Sequence, residues 1–409
     1  MYKSNSGLGI YSNRFCIKLS ILLSKRKEHL MRYCSYTKRN QETESDKTTQ
    51  EKLMNVLIKN IALLILSSTI ISSCKGQVKS NDKSSKTEKT QVASEIPVPK
   101  NGFSNALVDK DSTIWFSSNG GGIYHYNGKT FKNYTEEDGL SSNQVFSIAS
   151  DQNDNLWFGT QNGLTKYDRK KFEHIALPYQ DTTSGWISTV YPVLNPNAAH
   201  SLAVGNNDNL WIGTGGGGAY LYDGISFKPY LTEIGWKYEG SFQNWIPFIR
   251  KDNKGNMWFA SMSNGGVNQF NGEKFTQYLL EDGLSDNQVR TIYCDKSGKI
   301  WIGFNGNRNS GLTVYNGKSF KTFSLDDGLC NQRIRSIYED KNGSIWMGAD
   351  LANLCVFDGE NFSDFNYNGQ TFSDILFILS DLEDNIWFGG RNGIWKYDGQ
   401  NLTEITTNE

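Results

Sequence analysis

Short apolar runs separated by polar turns recur through the last three quarters of the chain. They are clearest in residues 145 to 175, where the runs are Val145–Ser150, Leu156–Thr160, Leu164–Tyr167 and Phe172–Ile175. Apolar runs of about four to eight residues, bounded by Asp, Asn, Gly and Ser, are typical of β-strands joined by tight turns. The pattern therefore predicts a sheet of four antiparallel strands.

The same unit of four runs occurs seven times, each time around one tryptophan. These anchors are separated by 42, 54, 47, 43, 45 and 41 residues, and they are Trp115, Trp157, Trp211, Trp258, Trp301, Trp346 and Trp387. A period in the forties made of short strands is typical of a β-propeller with one blade per repeat. A single blade cannot bury both of its faces, so the blades must stack around an axis. We predict an all-β fold in which residues 98–409 form a seven-bladed propeller of four-stranded antiparallel blades.

The turn between the third and fourth runs carries glycine after Asn or Asp in six of the repeats. These pairs are Asn127-Gly128, Asp223-Gly224, Asn271-Gly272, Asn316-Gly317, Asp358-Gly359 and Asp398-Gly399. Such pairs tolerate the positive φ that a two-residue hairpin turn requires. Only the second repeat departs, with Asp168-Arg169. Because a large aromatic ring fills the wedge between two blades well, we predict that the tryptophans pack there.

Two motifs in the repeats resemble those of the two-component regulator propeller family. One is the entry Asp138-Gly-Leu-Ser-Ser-Asn143, which returns as Asp282-Gly-Leu-Ser-Asp-Asn287 and Asp327-Gly-Leu-Cys-Asn331. The other is an Asp-rich turn followed by a core such as Leu-Trp-Phe-Gly-Thr, at Trp157, Trp211, Trp301 and Trp346. The resemblance covers the chain from about residue 100 onward. It implies a sensor propeller, because such propellers form the periplasmic sensor region of hybrid histidine kinases that respond to polysaccharide fragments. The sequence ends after the seventh repeat, so we do not carry the family's kinase output over.

The N-terminal quarter contains a segment that is typical of a secretory signal. A lysine precedes an apolar run from Ile61 to Ile71, which is shorter than the roughly 20 residues of a membrane span. The ending Ile71-Ser-Ser-Cys74 resembles a bacterial lipobox, which implies cleavage after residue 73 and lipidation of Cys74. An ordinary signal peptide and a chance apolar stretch are the alternatives. We predict a signal peptide at 54–73 and a doubtful leader at 1–53, with translation beginning at Met54.

Residues 74–97 are predicted to be the lipidated cysteine and a disordered linker. The stretch from Lys75 to Gln91 is rich in Ser, Lys, Asp and Thr, and such composition cannot offset the entropy of ordering. The sequence after Cys74 lacks the acidic cluster of surface-export signals, which favours the periplasmic side of the outer membrane over the cell surface. Residues 95 to 99 are candidates to pair with a sheet edge. We expect blades 1 and 7 to meet mainly through side chains.

Charge and cysteine content exclude some classes of partner and scaffold. The chain has 42 basic and 43 acidic residues, so it shows no electrostatic footprint for nucleic acid. The propeller region holds Cys294, Cys330 and Cys355, an odd number that makes no disulfide framework. We favour buried free thiols, with a bridge between Cys330 and Cys355 as the alternative. A monomeric propeller is expected.

Two long connections between blades supply the first candidate ligand residues. The connection of residues 178 to 199 carries Trp186 and Tyr191, and the connection of residues 231 to 245 carries Trp236, Tyr238 and Trp245. Function concentrates on long loops, and aromatic rings suit the apolar faces of sugars. The alternative is that these rings merely pack the loops together.

The position eleven residues before each tryptophan supplies the second set. It lies near the start of the innermost strand and holds Ser104, Phe146, His200, Pro247, Arg290, Arg335 and Leu376. His200, Arg290 and Arg335 are its candidates for ligand binding at the channel entrance, and two further candidates, Arg308 and Arg391, lie in turns between the second and third strands. The alternative is that the arginines pair with Asp282, Asp286 or Asp327.

A catalytic role has little support in the sequence. The four histidines show no metal-ligand spacing, and neither a nucleophile elbow nor a phosphate-binding loop is present. We predict no catalytic residue, no metal and no cofactor. The expected function is a lipid-anchored, non-catalytic propeller that binds a glycan or a partner protein. The alternative is a lyase or hydrolase that acts on polysaccharide at the same face, since streptogramin lyase looks similar in repeat architecture.

Overall fold

Seven antiparallel sheets of four strands follow one another along the chain, as the repeats predict. The structure is a computed structural model, and it describes residues 88–92, 102–178, 195–232, 245–262, 265–305 and 310–407. Each blade is built from consecutive strands A to D, and strand A lines a central channel. The predicted seven-bladed all-β propeller is confirmed.

The strand boundaries match the apolar runs closely. Blades 1 to 4 consist of β2 (Phe103–Val108), β3 (Ile114–Ser118), β4 (Gly122–Tyr126), β5 (Phe131–Tyr134), β6 (Val145–Ser150), β7 (Leu156–Thr160), β8 (Gly163–Tyr167), β9 (Phe172–Ile175), β10 (Ala199–Val204), β11 (Leu210–Thr214), β12 (Ala219–Tyr222), β13 (Phe227–Tyr230), β14 (Phe248–Lys251), β15 (Met257–Ala260), β16 (Val267–Phe270) and β17 (Phe275–Tyr278). Blades 5 to 7 consist of β18 (Val289–Cys294), β19 (Ile300–Phe304), β20 (Leu312–Tyr315), β21 (Phe320–Phe323), β22 (Ile334–Glu339), β23 (Ile345–Ala349), β24 (Cys355–Phe357), β25 (Phe362–Asp364), β26 (Ile375–Ser380), β27 (Ile386–Gly390), β28 (Ile394–Tyr397) and β29 (Leu402–Thr407).

Helical structure is confined to short turns in the described part of the chain. Its 3-10 turns are Glu136–Asp138, Asn206–Asp208, Leu280–Asp282 and Leu325–Asp327. None of these is long or apolar enough to cross a membrane.

Each interface between neighbouring blades holds its own apolar cluster, so the ring is closed by packing. All seven anchor tryptophans lie in these clusters and are only 1–6% exposed, which confirms their predicted place between blades. Blades 7 and 1 meet in one such cluster, where Phe377 and Trp387 pack against Phe103 and Phe116. The predicted side-chain contact between the first and last blades is therefore present.

Six of the seven indole N–H groups also donate a hydrogen bond to the aspartate six residues earlier, at 2.8–3.1 Å. The same carboxylate closes the turn between strands A and B. In blade 2, for example, Asp151 also accepts hydrogen bonds from the backbone N–H groups of Asn153 and Asn155. Blade 3 has Gly205 instead, and a Cβ there would lie 2.9 Å from the Trp211 indole. One aspartate therefore fixes both the turn and the anchor in blades 2, 4, 5, 6 and 7, whereas Asp109 of blade 1 accepts from the backbone N–H of Lys110 instead.

The N-terminal strand β1 (Glu88–Val92) extends blade 7 beyond four strands. It pairs in parallel with β29, with Glu88 opposite Thr403 and Val92 opposite Thr407. These residues fall in the predicted disordered linker, so the linker expectation is corrected for 88–92. Pairing with an open sheet edge satisfies backbone N–H and C=O groups without requiring apolar side chains, and composition does not reveal it.

Cys330 and Cys355 form a disulfide with their Cα atoms 5.8 Å apart, which corrects the preference for free thiols. The corresponding residues of blade 2 are Ser141 and Thr165, whose hydroxyls lie 2.8 Å apart in a hydrogen bond. Blade 5 has a similar hydroxyl pair, at 3.2 Å. The disulfide thus joins two positions that the repeat already holds in contact. Cys294 is buried and free, as expected.

In blade 2, Arg169 takes the place of the glycine in the turn between strands C and D. In the other six blades this glycine has φ between 91° and 107°. Arg169 has φ 73° at the same position, and its side chain reaches back to blade 1. Its guanidinium bonds Asp109 at 2.5 and 3.0 Å and Asp154 at 3.1 Å. Burial alone would raise the pKa of Asp109, but hydrogen bonds from Arg169 and Trp115 outweigh it and hold that pKa below its ordinary value.

Replacing Arg169 with glycine is expected to destabilise the protein by about 2 kcal/mol, although it restores the residue of the other six blades. Glycine relieves the strained φ, but Asp109 is only 4% exposed and loses its charged partner. Urea unfolding measures the change. The matched control is Arg169→Gly combined with Asp109→Asn, in which the added cost of Arg169→Gly should nearly vanish. A stabilised single variant would contradict the prediction.

Candidate functional site

A central channel runs between the seven blades. It has a volume of about 860 Å³ and is lined by strand A of all seven blades. One end is the mouth, where each strand A begins and where the connections between blades arrive. The opposite end carries Leu107, Arg250, Tyr293, Tyr338 and Leu379. The blades therefore present different side chains at two ends of one passage.

A β-bulge aims one side chain into the mouth in every blade except the fourth. In six blades the register between strands A and B shifts at the residue eleven positions before the tryptophan. In blade 4 this residue, Pro247, precedes the paired strand. A bulged residue lies outside the ladder and its side chain is redirected. All seven of these residues line the channel: Ser104, Phe146, His200, Pro247, Arg290, Arg335 and Leu376.

The side of the mouth formed by blades 2 to 4 is aromatic. The rings of Phe146 and His200 stack at 4.4 Å, and Trp245 meets His200 edge to face at 5.7 Å. The Trp245 indole N–H is buried and has no acceptor among the described residues. Gly215 makes room for the imidazole, because a Cβ there would lie 2.8 Å from His200 Nε2. This side combines flat apolar surface with an unused hydrogen-bond donor.

The side formed by blades 5 to 7 is cationic. Arg335 donates from Nε to Asp350 Oδ2 at 2.6 Å and forms an ion pair with it, while Asp350 Oδ1 is buried without a donor. Arg290 has no hydrogen bond or ion pair to any described residue, and burial followed by repulsion from Arg335 lowers its pKa to about 9. It still carries its charge at pH 7. Arg391 is exposed at the same mouth, in the turn after β27.

Burial, followed by the charge of Arg290, lowers the pKa of His200 to about 4, so the imidazole is neutral at pH 7. An unfolded histidine has a pKa of about 6.5. Between these values the unfolded chain binds more protons, so the free energy of unfolding should fall as the pH drops through this window. His200→Gln should remove up to about 2 kcal/mol of that dependence in urea unfolding at pH 7 and pH 4.5. The control is His174→Gln on the exposed strand β9, and an equal effect of both substitutions would contradict the prediction.

The structure brings five of the ten predicted ligand residues together at the mouth: His200, Trp245, Arg290, Arg335 and Arg391. The other five, Trp186, Tyr191, Trp236, Tyr238 and Arg308, lie outside the described residues, as does Cys74. The alternative that the arginines pair with Asp282, Asp286 or Asp327 does not describe Arg335, whose partner is Asp350. Asp327 instead closes the turn that begins at Ser324.

Sequence reasoning missed Asp350 and passed over Phe146. Asp350 lies four residues after its tryptophan, in the same register as Arg391, Asn119 and Gly215. Alignment of the repeats at this position, four residues after the tryptophan, would have indicated that Asp350 lies next to the residues eleven positions before the tryptophan. Phe146 is one of the seven residues that lie eleven positions before a tryptophan, but only polar residues at that position were chosen as ligand candidates. Within the described ranges no group of three or more His, Cys, Asp or Glu side chains could hold a metal ion.

The motifs and the geometry agree with comparisons to known proteins. A family model for the two component regulator propeller matches residues 139–162, 283–306 and 328–350. Three of the seven repeats are two-component regulator propeller repeats. They cover the entries and cores of blades 2, 5 and 6, which include the bulged residues Phe146, Arg290 and Arg335.

Proteins similar to this propeller include a histidine kinase, the extracellular domain of a two-component system and a lyase. Histidine kinase P4 from Formosa agariphila is 26% identical over 300 residues, which are 70% of this chain and 21% of that protein. The chain thus spans about a fifth of the kinase. The extracellular domain assigned to a hybrid two-component system of B. thetaiotaomicron matches with a TM-score of 0.60 and 23% identity, over 77% of this chain and 41% of that chain. Virginiamycin B lyase from Staphylococcus aureus matches with a TM-score of 0.56 and 15% identity, over 72% of this chain and 93% of that chain. At these identities the two solved structures show a shared fold alone.

Proposed function

We propose that the protein is a non-catalytic, sensor-type propeller that recognises a glycan or a partner protein at the channel mouth. One observation carries the proposal. Seven side chains at one position of the repeat, six of them on β-bulges, converge on one open channel, and they include Ser, Phe, His, Pro, Arg and Leu. The shared positions of the repeats are used for packing, so recognition falls to the positions that vary. The relatives, which include a histidine kinase and the extracellular domain of a two-component system, support a sensing role.

We propose further that the protein is lipid-anchored at Cys74 and faces the periplasm from the outer membrane. The signal-like segment at 54–73 supports this, and the extracellular position of the similar sensor domain agrees with it. Cys74→Ala should move the protein from the detergent phase to the aqueous phase in extraction of whole cells. Retention of the variant in the detergent phase would overturn the anchor.

The test of recognition is a thermal-shift screen of the whole chain in detergent against a panel of oligosaccharides. A ligand at 100 times its Kd adds about 2.7 kcal/mol to the free energy of unfolding, which raises Tm measurably. The matched variant is Trp245→Phe, which keeps the ring and removes the unpaired N–H donor. A shift that is reduced in this variant supports recognition at the mouth.

Other outcomes of the screen point elsewhere. If no sugar raises Tm, crosslinking in native membranes tests for a partner protein bound at the same residues. Absence of both would overturn the proposed function. The alternative lyase or hydrolase function predicts that mass spectrometry of the incubated oligosaccharides finds shortened products, and such products would contradict a non-catalytic role.

A further inference from the structure

The charged side chains that line the described part of the channel all have the same sign. They are Arg250, Arg290, Arg335 and Arg391, and no Asp or Glu lines the channel with them. This bias is local, because the whole chain has a net charge of −1. Three of the four arginines lie at the mouth, on consecutive blades. The mouth is therefore a cationic site on a nearly neutral protein.

Only one of the three mouth arginines is neutralised by a neighbour in the described residues. Asp350 binds Arg335 through Oδ2 and so holds that guanidinium in place. Arg290 projects from the bulge of the adjacent blade without a partner in the described ranges, and the proximity of Arg335 makes its environment more positive. A charge removed from water without a counter-charge is costly, and a bound anion would offset that cost.

An unused polar group that lines the same channel defines more of the ligand. The buried N–H of Trp245 has no acceptor among the described residues, and an oxygen of the ligand would supply one. The stacked rings of Phe146 and His200 offer a flat apolar surface to a ligand at the mouth. A sugar ring that carries a carboxylate or sulfate supplies all of these: an anion, hydroxyl groups that donate and accept, and a flat apolar face.

We propose that the channel mouth binds the anionic group of an acidic sugar, with Arg290 as the residue that contacts it. This inference rests on the proposed recognition function and names the class of ligand. Arg335 is a positioning residue, since Asp350 holds it beside Arg290. Arg391, exposed at the rim, adds to the attraction of the anion from solution.

The decisive experiment compares two probes that differ in charge and in one methyl group per sugar. Short oligogalacturonate and its fully methyl-esterified form have the same ring and hydroxyls, but the ester is neutral. Calorimetric titration of the whole chain in detergent should show binding of the acid at least about tenfold tighter than the ester, and weaker at higher salt. A sulfated disaccharide in a third titration distinguishes sulfate from carboxylate recognition.

The variants test the residue. Arg290→Met should remove the preference for the acid, and Arg290→Lys should restore part of it. Arg250→Met is the matched control, because Arg250 lines the same channel at the opposite end, where it stacks on Tyr293 at 4.9 Å. This control should retain the acid preference within about twofold, and a Tm near that of the wild type verifies that each variant is folded.

The outcomes separate this inference from the proposed function. Equal binding of acid and ester by the wild type would overturn the anionic site while leaving recognition of sugars intact. An equal loss in the Arg250 and Arg290 variants would overturn the assignment of Arg290. If the acid, the ester and the sulfated probe all fail to bind, the anionic site is rejected, and the proposed function then depends on the wider screen.

Discussion

Replacing Trp258 with alanine is expected to lower the free energy of unfolding by about 4 kcal/mol. Trp258 is 1% exposed and packs in the cluster between blades 4 and 5. Its removal leaves a cavity at an interface that the ring requires, because each blade is stabilised mainly by its two neighbours. Urea unfolding followed by circular dichroism measures the loss. A cost below about 1 kcal/mol would contradict the packing role of the anchor.

Blade 3 offers a matched control that separates packing from hydrogen bonding. Trp258 donates to Asp252 at 2.8 Å, whereas Trp211 has Gly205 where the aspartate would stand. Trp258→Phe removes both ring area and the donor to a partly buried carboxylate, while Trp211→Phe removes no hydrogen bond to such a carboxylate. We expect the substitution at Trp258 to cost about 1 kcal/mol more than that at Trp211. Equal costs would show that the bond to Asp252 adds no net stability.

Reduction of the disulfide between Cys330 and Cys355 is expected to cost about 3 kcal/mol, because the bridge closes a loop with a sequence separation of 25. Unfolding in urea with and without a thiol reductant measures this difference. The double variant Cys330→Ser, Cys355→Thr recreates the hydroxyl pair of blades 2 and 5. It should unfold at the lower stability of the reduced protein and show no response to reductant.

Cys294→Ala is the control for general effects of the reductant, since Cys294 is buried and takes no part in the bridge. This variant should keep the full sensitivity of the wild type to reductant. A wild-type protein that unfolds identically with and without reductant would contradict a stabilising disulfide.

The fold was predictable from the sequence because its determinants are local and repeated. In blade 2 three of the four predicted strands have the observed bounds, and β8 begins one residue earlier. The turn residues and the tryptophan that indicate these strands lie within some twenty residues of one another. The pairing of β1 with β29 was not predictable in the same way, since backbone pairing at an edge leaves little mark on the side-chain pattern.

The candidate site was only partly predictable. Alignment on the tryptophans identified the register of His200 and Arg290, but it could not show which arginine has a partner. That depends on Asp350, which lies in the turn after β23 of blade 6 and approaches Arg335 only in the folded sheet. The disulfide has a similar origin, because Cys330 in the connection before β22 meets Cys355 of β24 only in the folded blade. Contacts between residues at different positions of the repeat could therefore be identified only from the structure.

The bulge at the start of strand A separates the task of recognising a ligand from the task of folding. The bulged residue is not paired in the ladder between strands A and B. The cost of substituting it therefore depends mainly on the side chains that it contacts at the mouth. The six bulged residues and Pro247 of blade 4 form a ring of variable positions on a scaffold whose apolar clusters and turns are shared by the repeats. A protein of this design can acquire a new specificity one blade at a time, with little loss of stability at each step.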